Sequence, residues 1–262
     1  VRVGIIGATG WLGSALGGQL LARGMLGPAE LVLLNRSGPG TDYHGHADVT
    51  WARDVDELVA CSDIVVVSVR PQDWPALKLM VPGQLVVSFM AGTRLARLAG
   101  CRGRIVRAMP NAAAEIGRSY SPWIAGSGVT DADRAAVRWL LSAIGSEDEL
   151  QEESHLDLMT AVPGSGTAYP ALLATALADF LRANGIAEAV AWRAAEAVIC
   201  DAPQVLAGRI SQAPEIIEAY LAYEGTTAAG INAARSAGFV SGLQAALKAA
   251  VIKAHHMDGA EP

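Results

Sequence analysis

The segment Gly7-Ala8-Thr9-Gly10-Trp11-Leu12-Gly13 constrains the fold more than any other part of the chain. An apolar run ending at Ile6 leads into it, and Leu12, Ala15, Leu16, Leu20 and Leu21 follow at helical spacing. That order is strand, glycine turn, helix. In such a unit the glycines let backbone approach a ligand, and the free N–H groups of the helix start attract a pyrophosphate. The spacing Gly-x-x-Gly-x-x-Gly makes this turn one residue longer than the common Gly-x-Gly-x-x-Gly. A glycine triplet alone is a weak signal, because such turns also serve strand–helix packing. Set in a complete strand–turn–helix–strand unit, it points to a dinucleotide, with Gly7, Thr9, Gly10, Trp11, Leu12 and Gly13 as candidate contacts.

The first half of the chain alternates strands with helices. Residues 31–34, 64–69, 85–89 and 104–109 are short apolar runs, and Ile64, Val65, Val66, Val67 and Val69 make one of them strongly β-branched. Runs of this kind suit strands covered on both faces of a parallel sheet. Residues 123–125 and 149–153 are expected to add two short strands. Between them Thr130 and Asp133 are placed to cap a helix carrying Ala136, Val137, Leu140 and Leu141. The expected architecture is a doubly wound α/β domain over residues 1–152. From residue 153 onward the pattern is helical throughout, over 155–160, 169–184, 187–208, 214–221 and 227–255. This all-helical domain, 153–262, is rich in alanine and carries more apolar surface than it can bury alone, which predicts a homodimer. The tail 258–262 is expected to fray.

Composition removes several classes. The 262 residues carry a net charge of −6, so no basic field exists for a nucleic acid. With 52% hydrophobic residues a membrane span has to be considered. The best stretch, 169–190, is interrupted by Asp179, Arg182, Asn184 and Glu188, whereas a span needs about 20 largely apolar residues. Cys61, Cys101 and Cys200 are scattered and odd in number, as expected of free thiols in a reducing compartment. With no basic-then-apolar leader before the first strand, a cytoplasmic protein is expected. His44 and His46 form a His-x-His pair without further ligands at suitable spacing, so no metal site is expected.

The strand ends carry the remaining chemistry, since ligands of open α/β sheets bind there. After the second strand an acid would favour NAD, but this chain has Asn35-Arg36-Ser37. Arginine beside two small polar residues suits a 2′-phosphate, so NADPH is expected rather than NADH; the alternative is a solvated loop charge. Val69-Arg70-Pro71, Ala91-Gly92 and Asn111 stand at successive strand ends and complete the candidate cofactor site. Asn111 could bond a nicotinamide carboxamide or cap a turn.

The order of motifs resembles the pyrroline-5-carboxylate reductases along nearly the whole chain. The resemblance rests on Ser88 with Ala91-Gly92, then Arg107-Ala108-Met109-Pro110-Asn111. Ala161-Val162-Pro163-Gly164-Ser165-Gly166-Thr167-Ala168-Tyr169 follows, and Glu224-Gly225-Thr226-Thr227-Ala228-Ala229-Gly230-Ile231 closes the series. It implies a Rossmann domain, a helical domain that interlocks with its partner in a dimer, and NADPH- or NADH-dependent reduction of a cyclic imine. It also implies that Thr227 orients the imine nitrogen, with Ser165, Gly166, Glu224, Gly225 and Thr226 near the substrate and Tyr169 a secondary candidate. Thr227 could equally be a helix N-cap.

Four departures accompany the resemblance. Tyr223-Glu224-Gly225 stands where the family usually has Pro-Gly-Gly, Thr167 replaces a usual proline, and Thr175 takes a place often held by an acid. The first glycine turn is also longer. If Glu224 faces the pocket, a carboxylate substrate meets a negative charge, which predicts an altered substrate choice; if it faces solvent, ordinary pyrroline-5-carboxylate reduction is expected. A non-catalytic NADP-binding sensor is the alternative from another class. The related hydroxyacid dehydrogenases use a lysine on the first helix of the helical domain. Here Lys78, Lys248 and Lys253 lie elsewhere in the sequence.

Overall fold

A computed structural model describes residues 1–257; the tail expected to fray lies outside the described residues. Eight strands form one sheet: β1 Val3–Ile6, β2 Leu31–Leu34, β3 Thr50–Trp51, β4 Ile64–Val67, β5 Leu85–Ser88, β6 Arg104–Ala108, β7 Ser119–Ala125 and β8 Gly145–Glu149. Their order is β3-β2-β1-β4-β5-β6-β7-β8. Neighbours run parallel from β3 through β6 and again between β7 and β8, while β6 and β7 are antiparallel. The helices are α1 Trp11–Ala22, α2 Val55–Ala60, α3 Trp74–Leu77, α4 Leu95–Leu98, α5 Asp131–Ser142, α6 Glu153–Ala161, α7 Ala168–Ala183, α8 Glu188–Glu196, α9 Ala213–Ala222, α10 Thr226–Ser236 and α11 Phe239–His256.

The doubly wound expectation holds, and its cause is visible in burial. All four residues of β1, of β4 and of β5 are buried, as a strand covered on both faces requires. Alternate residues feed two cores. Val3, Ile5, Val66 and Val87 join α1 and α5 on one face; Ile6, Val65, Val67 and Val86 join Leu58, Trp74 and Leu98 on the other. Strand order reverses around β1, so the crevice between the carboxyl ends of β1 and β4 is where ligands of such sheets lie.

Three local expectations are corrected. The segment 149–153 is not a strand: the last strand runs over Gly145–Glu149 and Glu153 already opens α6. The sequence of β8, at a sheet edge, is glycine or polar at every position, so apolar periodicity could not reveal it. The long helix expected over 227–255 is two helices, broken at Gly238 with φ of 85°. Similarly 187–208 is α8 followed by a π-turn at Ala197–Asp201 and a 3₁₀ turn at Ala202–Leu206.

Tertiary contacts divide the chain into two compact units, Val1–Gly166 together with the chain from Ala249 onward, and Thr167–Lys248. Within the second unit α7 and α8 pair through Ala178, Ala191 and Ala195, and small residues let their backbones approach. Leu172, Phe180, Val205, Ile210 and Tyr223 remain exposed there. Among the described residues no helix is long and apolar enough to cross a membrane.

Helix α5 shows how tightly the sheet edge is pinned. Thr130 and Asp133 form the expected capping box, and Arg104 of β6 grips the Asp133 carboxylate with Nε at 2.6 Å and Nη2 at 2.8 Å. The guanidinium, with Thr130, holds the Asp133 carboxyl far below the usual carboxylate range. A depressed carboxylate stabilises the fold above its unfolded-state pKa and stops doing so as pH falls towards its folded value. Asp133→Ala is therefore expected to cost about 1–2 kcal/mol at neutral pH, a deficit that shrinks below about pH 4. Urea melts of both proteins across pH 3–7 check this; a deficit independent of pH would exclude the ionised carboxylate as its source.

Candidate functional site

The glycine turn leaves β1 with Gly7 at φ of 84°, a left-handed conformation natural to glycine. Its N–H donates to the Leu34 carbonyl at 2.8 Å, and a Cβ there would collide with the Ser68 carbonyl beyond β4. Gly10 N–H donates back to the Gly7 carbonyl at 3.0 Å, and α1 starts at Trp11. No side chain among the described residues caps this helix start, and its first turn holds no acid. The first N–H groups of a helix lack intrahelical acceptors. The donor set and its partial positive charge therefore fit a pyrophosphate. Trp11 is exposed, while Leu12 is half-buried and Gly13 buried beneath it.

Asn35 fastens this turn to β2. Thr9 N–H donates to Asn35 Oδ1 at 3.1 Å, and the Asn35 amide donates to Thr9 Oγ1. Arg36 and Ser37 beyond it are exposed. From β4, Val69 is half-buried and Arg70-Pro71 lead into a short turn, Pro71–Asp73. Arg70 holds Asp73 with Nε–Oδ2 at 3.0 Å and Nη2–Oδ1 at 3.3 Å, and Arg36 Nη1 lies 3.8 Å from the same Oδ1. Arg70 keeps the Asp73 carboxyl below its ordinary range. Two strand ends thus bring two arginines to one carboxylate beside the crevice.

A support the sequence reading passed over lies underneath. Tyr43 is buried, and its hydroxyl shares its proton between the carbonyls of Ala8 and Gly13, at 3.0 and 3.1 Å. Burial pushes its pKa well above the ordinary phenol range. Tyr43 and His46 close a turn through paired backbone hydrogen bonds of 2.9 and 3.1 Å. His44, at φ of 53°, brings Nε2 to 3.0 Å from both the hydroxyl and the carbonyl of Ser14. A Cβ at Gly17 would overlap the Tyr43 hydroxyl, and one at Gly18 would crowd the His44 ring. Adjacent glycines inside a helix cost roughly 1 kcal/mol each. That cost was the sequence signal that something packs closely here. Among the described residues no group of three or more His, Cys, Asp or Glu is placed to hold a metal.

Further along the carboxyl edge, Ala91-Gly92 leads to Arg94, whose Nη2 contacts Asp157 Oδ2 at 2.7 Å and His255 Nδ1 at 2.6 Å. Buried Arg107 pairs with Glu153 Oε1 at 2.5 Å, and that oxygen also accepts from Leu95 N–H at 2.7 Å. Helix α6 and the end of α11 are thereby tied to the loop after β5. Asn111 uses both ends of its side chain: Oδ1 accepts from Ala113 N–H at 3.0 Å, and Nδ2 donates to the Pro163 carbonyl at 2.8 Å. It caps a 3₁₀ turn, Ala112–Ile116, and holds the Pro163–Gly166 turn, where Ser165 Oγ donates to Thr160 O at 3.4 Å.

Glu224, Gly225, Thr226 and Thr227 belong to the second unit. Gly225 is the N-cap of α10, so Thr227 is not: it occupies the second helical position, exposed like Thr226. The extended backbone of Gly225 places the cap one residue before the threonines. Glu224 is exposed and adopts φ of 54°.

A glycine turn at the switch point of a parallel sheet, followed by a helical unit, defines a Rossmann-type protein with a helical C-terminal region. Residues 153–257 match the family model for pyrroline-5-carboxylate reductase dimerisation, and residues 2–92 that for NADP oxidoreductase coenzyme F420-dependent. The chain is 34% identical to the pyrroline-5-carboxylate reductase of Pseudomonas aeruginosa, covering 95% of this chain and 94% of that protein. Identity to the Synechocystis enzyme of the same name is 29%, covering 95% and 96%. The chain belongs to the pyrroline-5-carboxylate reductase family. Its fold matches the pyrroline carboxylate reductase of Plasmodium falciparum, solved with NADP bound, with a TM-score of 0.84, 22% identity and 98% of each chain covered. The Streptococcus pyogenes 1-pyrroline-5-carboxylate reductase gives a TM-score of 0.81, 26% identity, and coverage of 97% and 98%.

The Tyr43 contact makes two expectations. Gly17→Ala, which in an open helix would stabilise by about 1 kcal/mol, is expected to lower the melting temperature because the methyl displaces Tyr43. Tyr43→Phe leaves two carbonyls without their donor and is expected to cost about 1–2 kcal/mol. Thermal melts of both variants check the pair, and a Gly17→Ala protein more stable than wild type would show that Tyr43 yields without cost.

Proposed function

We propose that the chain is an NADPH-dependent reductase of the C=N bond of a cyclic imine, of the pyrroline-5-carboxylate class. The observation that carries this reading is the uncapped, acid-free N-terminus of α1 behind the glycine turn, with Arg36 in place of an acid after β2. The 34% identity to a pyrroline-5-carboxylate reductase across nearly the whole chain supports it. The solved relative with NADP bound lends its nucleotide to the same reading.

Bound NADPH supplies a hydride for the imine carbon. The rest of the chemistry falls to the protein. An iminium is already electrophilic, so no enzymic nucleophile is needed; placement and a proton on nitrogen are enough. The first N–H groups of α1 hold the pyrophosphate, and Arg36 takes the 2′-phosphate, with Ser37, Val69, Arg70 and Pro71 around the adenosine end. Ala91, Gly92 and Asn111 frame the nicotinamide end. Asn111 acts there as a positioning residue, since both of its polar groups are engaged by backbone. Thr227 orients the imine nitrogen, with Ser165, Gly166, Gly225 and Thr226 near the substrate. In this proposal residues 1–152 serve the cofactor, and residues 153–262 serve substrate and a homodimer that covers the exposed Leu172, Phe180 and Ile210. A cytoplasmic setting accompanies it, consistent with the three free cysteines.

Glu224 favours a second reading on substrate choice. It replaces a residue that the family resemblance makes glycine, and its left-handed backbone is the conformation a glycine would adopt. If its carboxylate lines the pocket, a neutral or cationic imine is preferred to pyrroline-5-carboxylate.

Two measurements test these readings. Arg36→Ala is expected to weaken NADPH binding about tenfold or more while sparing NADH, because a charge-assisted phosphate contact is lost; equal losses for both nucleotides would reject the 2′-phosphate role. Steady-state turnover of pyrroline-5-carboxylate against 1-pyrroline, for wild type and Glu224→Gly, decides the substrate. A wild-type preference for the carboxylate establishes the ordinary activity, and Thr227→Ala is expected to lower kcat for every imine accepted.

A further inference from the structure

Two arginines from different strand ends converge on one carboxylate, and the two contacts are unequal. Asp73 belongs to Arg70: the guanidinium grips both carboxylate oxygens, and Asp73 N–H donates to the Arg70 carbonyl at 2.9 Å. Buried Trp74, next in the chain, anchors the turn. Arg36 instead approaches Oδ1 by one nitrogen at 3.8 Å and is 84% exposed. Asp73 is held by two hydrogen bonds from Arg70, and Arg36 by one loose contact. An anion that Arg36 binds where it now stands therefore has the Asp73 carboxylate as a negative neighbour, and a hydroxyl arriving there meets an acceptor.

We propose that Asp73 is a specificity-determining residue that makes the adenosine end of the site tolerant of NADH as well as NADPH; this rests on the dinucleotide reading above. In sheets of this type an acid after the second strand accepts from the ribose hydroxyls of NAD. Here that position is Arg36, and Asp73, from the turn after β4, brings a carboxylate to 3.8 Å from the Arg36 guanidinium. Toward a ribose bearing a free 2′-hydroxyl it is an acceptor. Toward a 2′-phosphate, carrying nearly two negative charges, it is a repulsive charge that Arg70 only partly offsets. Arg70 holds the carboxyl below its usual range, so Asp73 carries its negative charge at neutral pH. One site thus carries a cation for the phosphate and an acid for the hydroxyl.

The test measures binding without imine, by calorimetric titration of NADPH, NADH and adenosine 2′,5′-bisphosphate. In Asp73→Asn, NADPH and the bisphosphate are expected to bind about three- to tenfold tighter, as removal of one nearby like charge at a partly screened surface allows. NADH is expected to be unchanged or weaker, so that the NADPH/NADH affinity ratio rises. Asp73→Glu keeps the charge and is expected to keep a ratio near wild type. A ratio in Asp73→Asn that stays constant or falls overturns the proposal, and a fall would show that Asp73 serves to orient Arg36 for the phosphate. Arg36→Ala in the same titrations separates the two readings. If it abolishes an NADPH preference while Asp73→Asn leaves the ratio alone, only this inference fails. If it affects neither nucleotide, the 2′-phosphate site itself is wrong.

Discussion

The site depends on a backbone-to-backbone approach between Gly7 and the Ser68 carbonyl, where the chain leaves β1 and passes the end of β4. A side chain at residue 7 would strike that carbonyl, and a Cβ at Gly13 would strike the Gly7 carbonyl. Removing those atoms lets α1 begin at the sheet edge with its free N–H groups directed to the crevice. The cost is a loop of flexible residues, and the structure offsets it from three sides. Leu34 accepts from Gly7, Asn35 exchanges two hydrogen bonds with Thr9, and Tyr43 holds the carbonyls of Ala8 and Gly13 from below. A turn made flexible for ligand approach is thus made rigid by its neighbours, and a preorganised donor set loses less entropy when a ligand binds.

Charge is arranged in the same layered way. Around the phosphate-facing turn the charges of Arg36, Arg70 and Asp73 are exposed or half-buried, so solvent screens them and a ligand can compete for the loosely held Arg36. Away from it, the Arg107–Glu153 and Arg94–Asp157 pairs are buried or nearly so and join strand ends to α6 and α11. Removing one partner from such a pair leaves an uncompensated buried charge. The exposed pairs are open to solvent and ligand, and the buried ones hold the framework in register.

How much of this was legible in the sequence follows from the physics of each element. β1, β4 and β5 were readable because strands buried on both faces must be apolar at every position, and the glycine turn because steric exclusion leaves few substitutes. The capping box at Thr130 and Asp133 was readable because it is local. β8 escaped because an edge strand without a single apolar side chain has no apolar signature, and β3 because two residues carry no period. Tyr43 escaped for a different reason. Its partners, Ala8 and Gly13, act through carbonyls that every residue possesses, so only the Gly17-Gly18 pair hinted at it. Asp73 was likewise hidden: its meaning comes from Arg36, which sequence distance separates and sheet order β2-β1-β4 reunites. Local rules expose elements, whereas contacts between distant elements are created only by topology.

The same distinction bears on the segment before α10. A glutamate at φ of 54° sits in a conformation that costs a side-chain-bearing residue roughly 1–2 kcal/mol relative to glycine. A glutamate in that backbone separates two properties that glycine combines, a left-handed turn and the absence of charge. Gly225 caps α10 and the two threonines open it, and a carboxylate at the residue before the cap complements the helix dipole. An anionic ligand at that helix start would compete with this carboxylate for the same partial charge, whereas a neutral or cationic one would not. Glu224 thus combines a left-handed turn with a negative charge, and a difference in substrate preference arising there would be electrostatic in origin rather than steric.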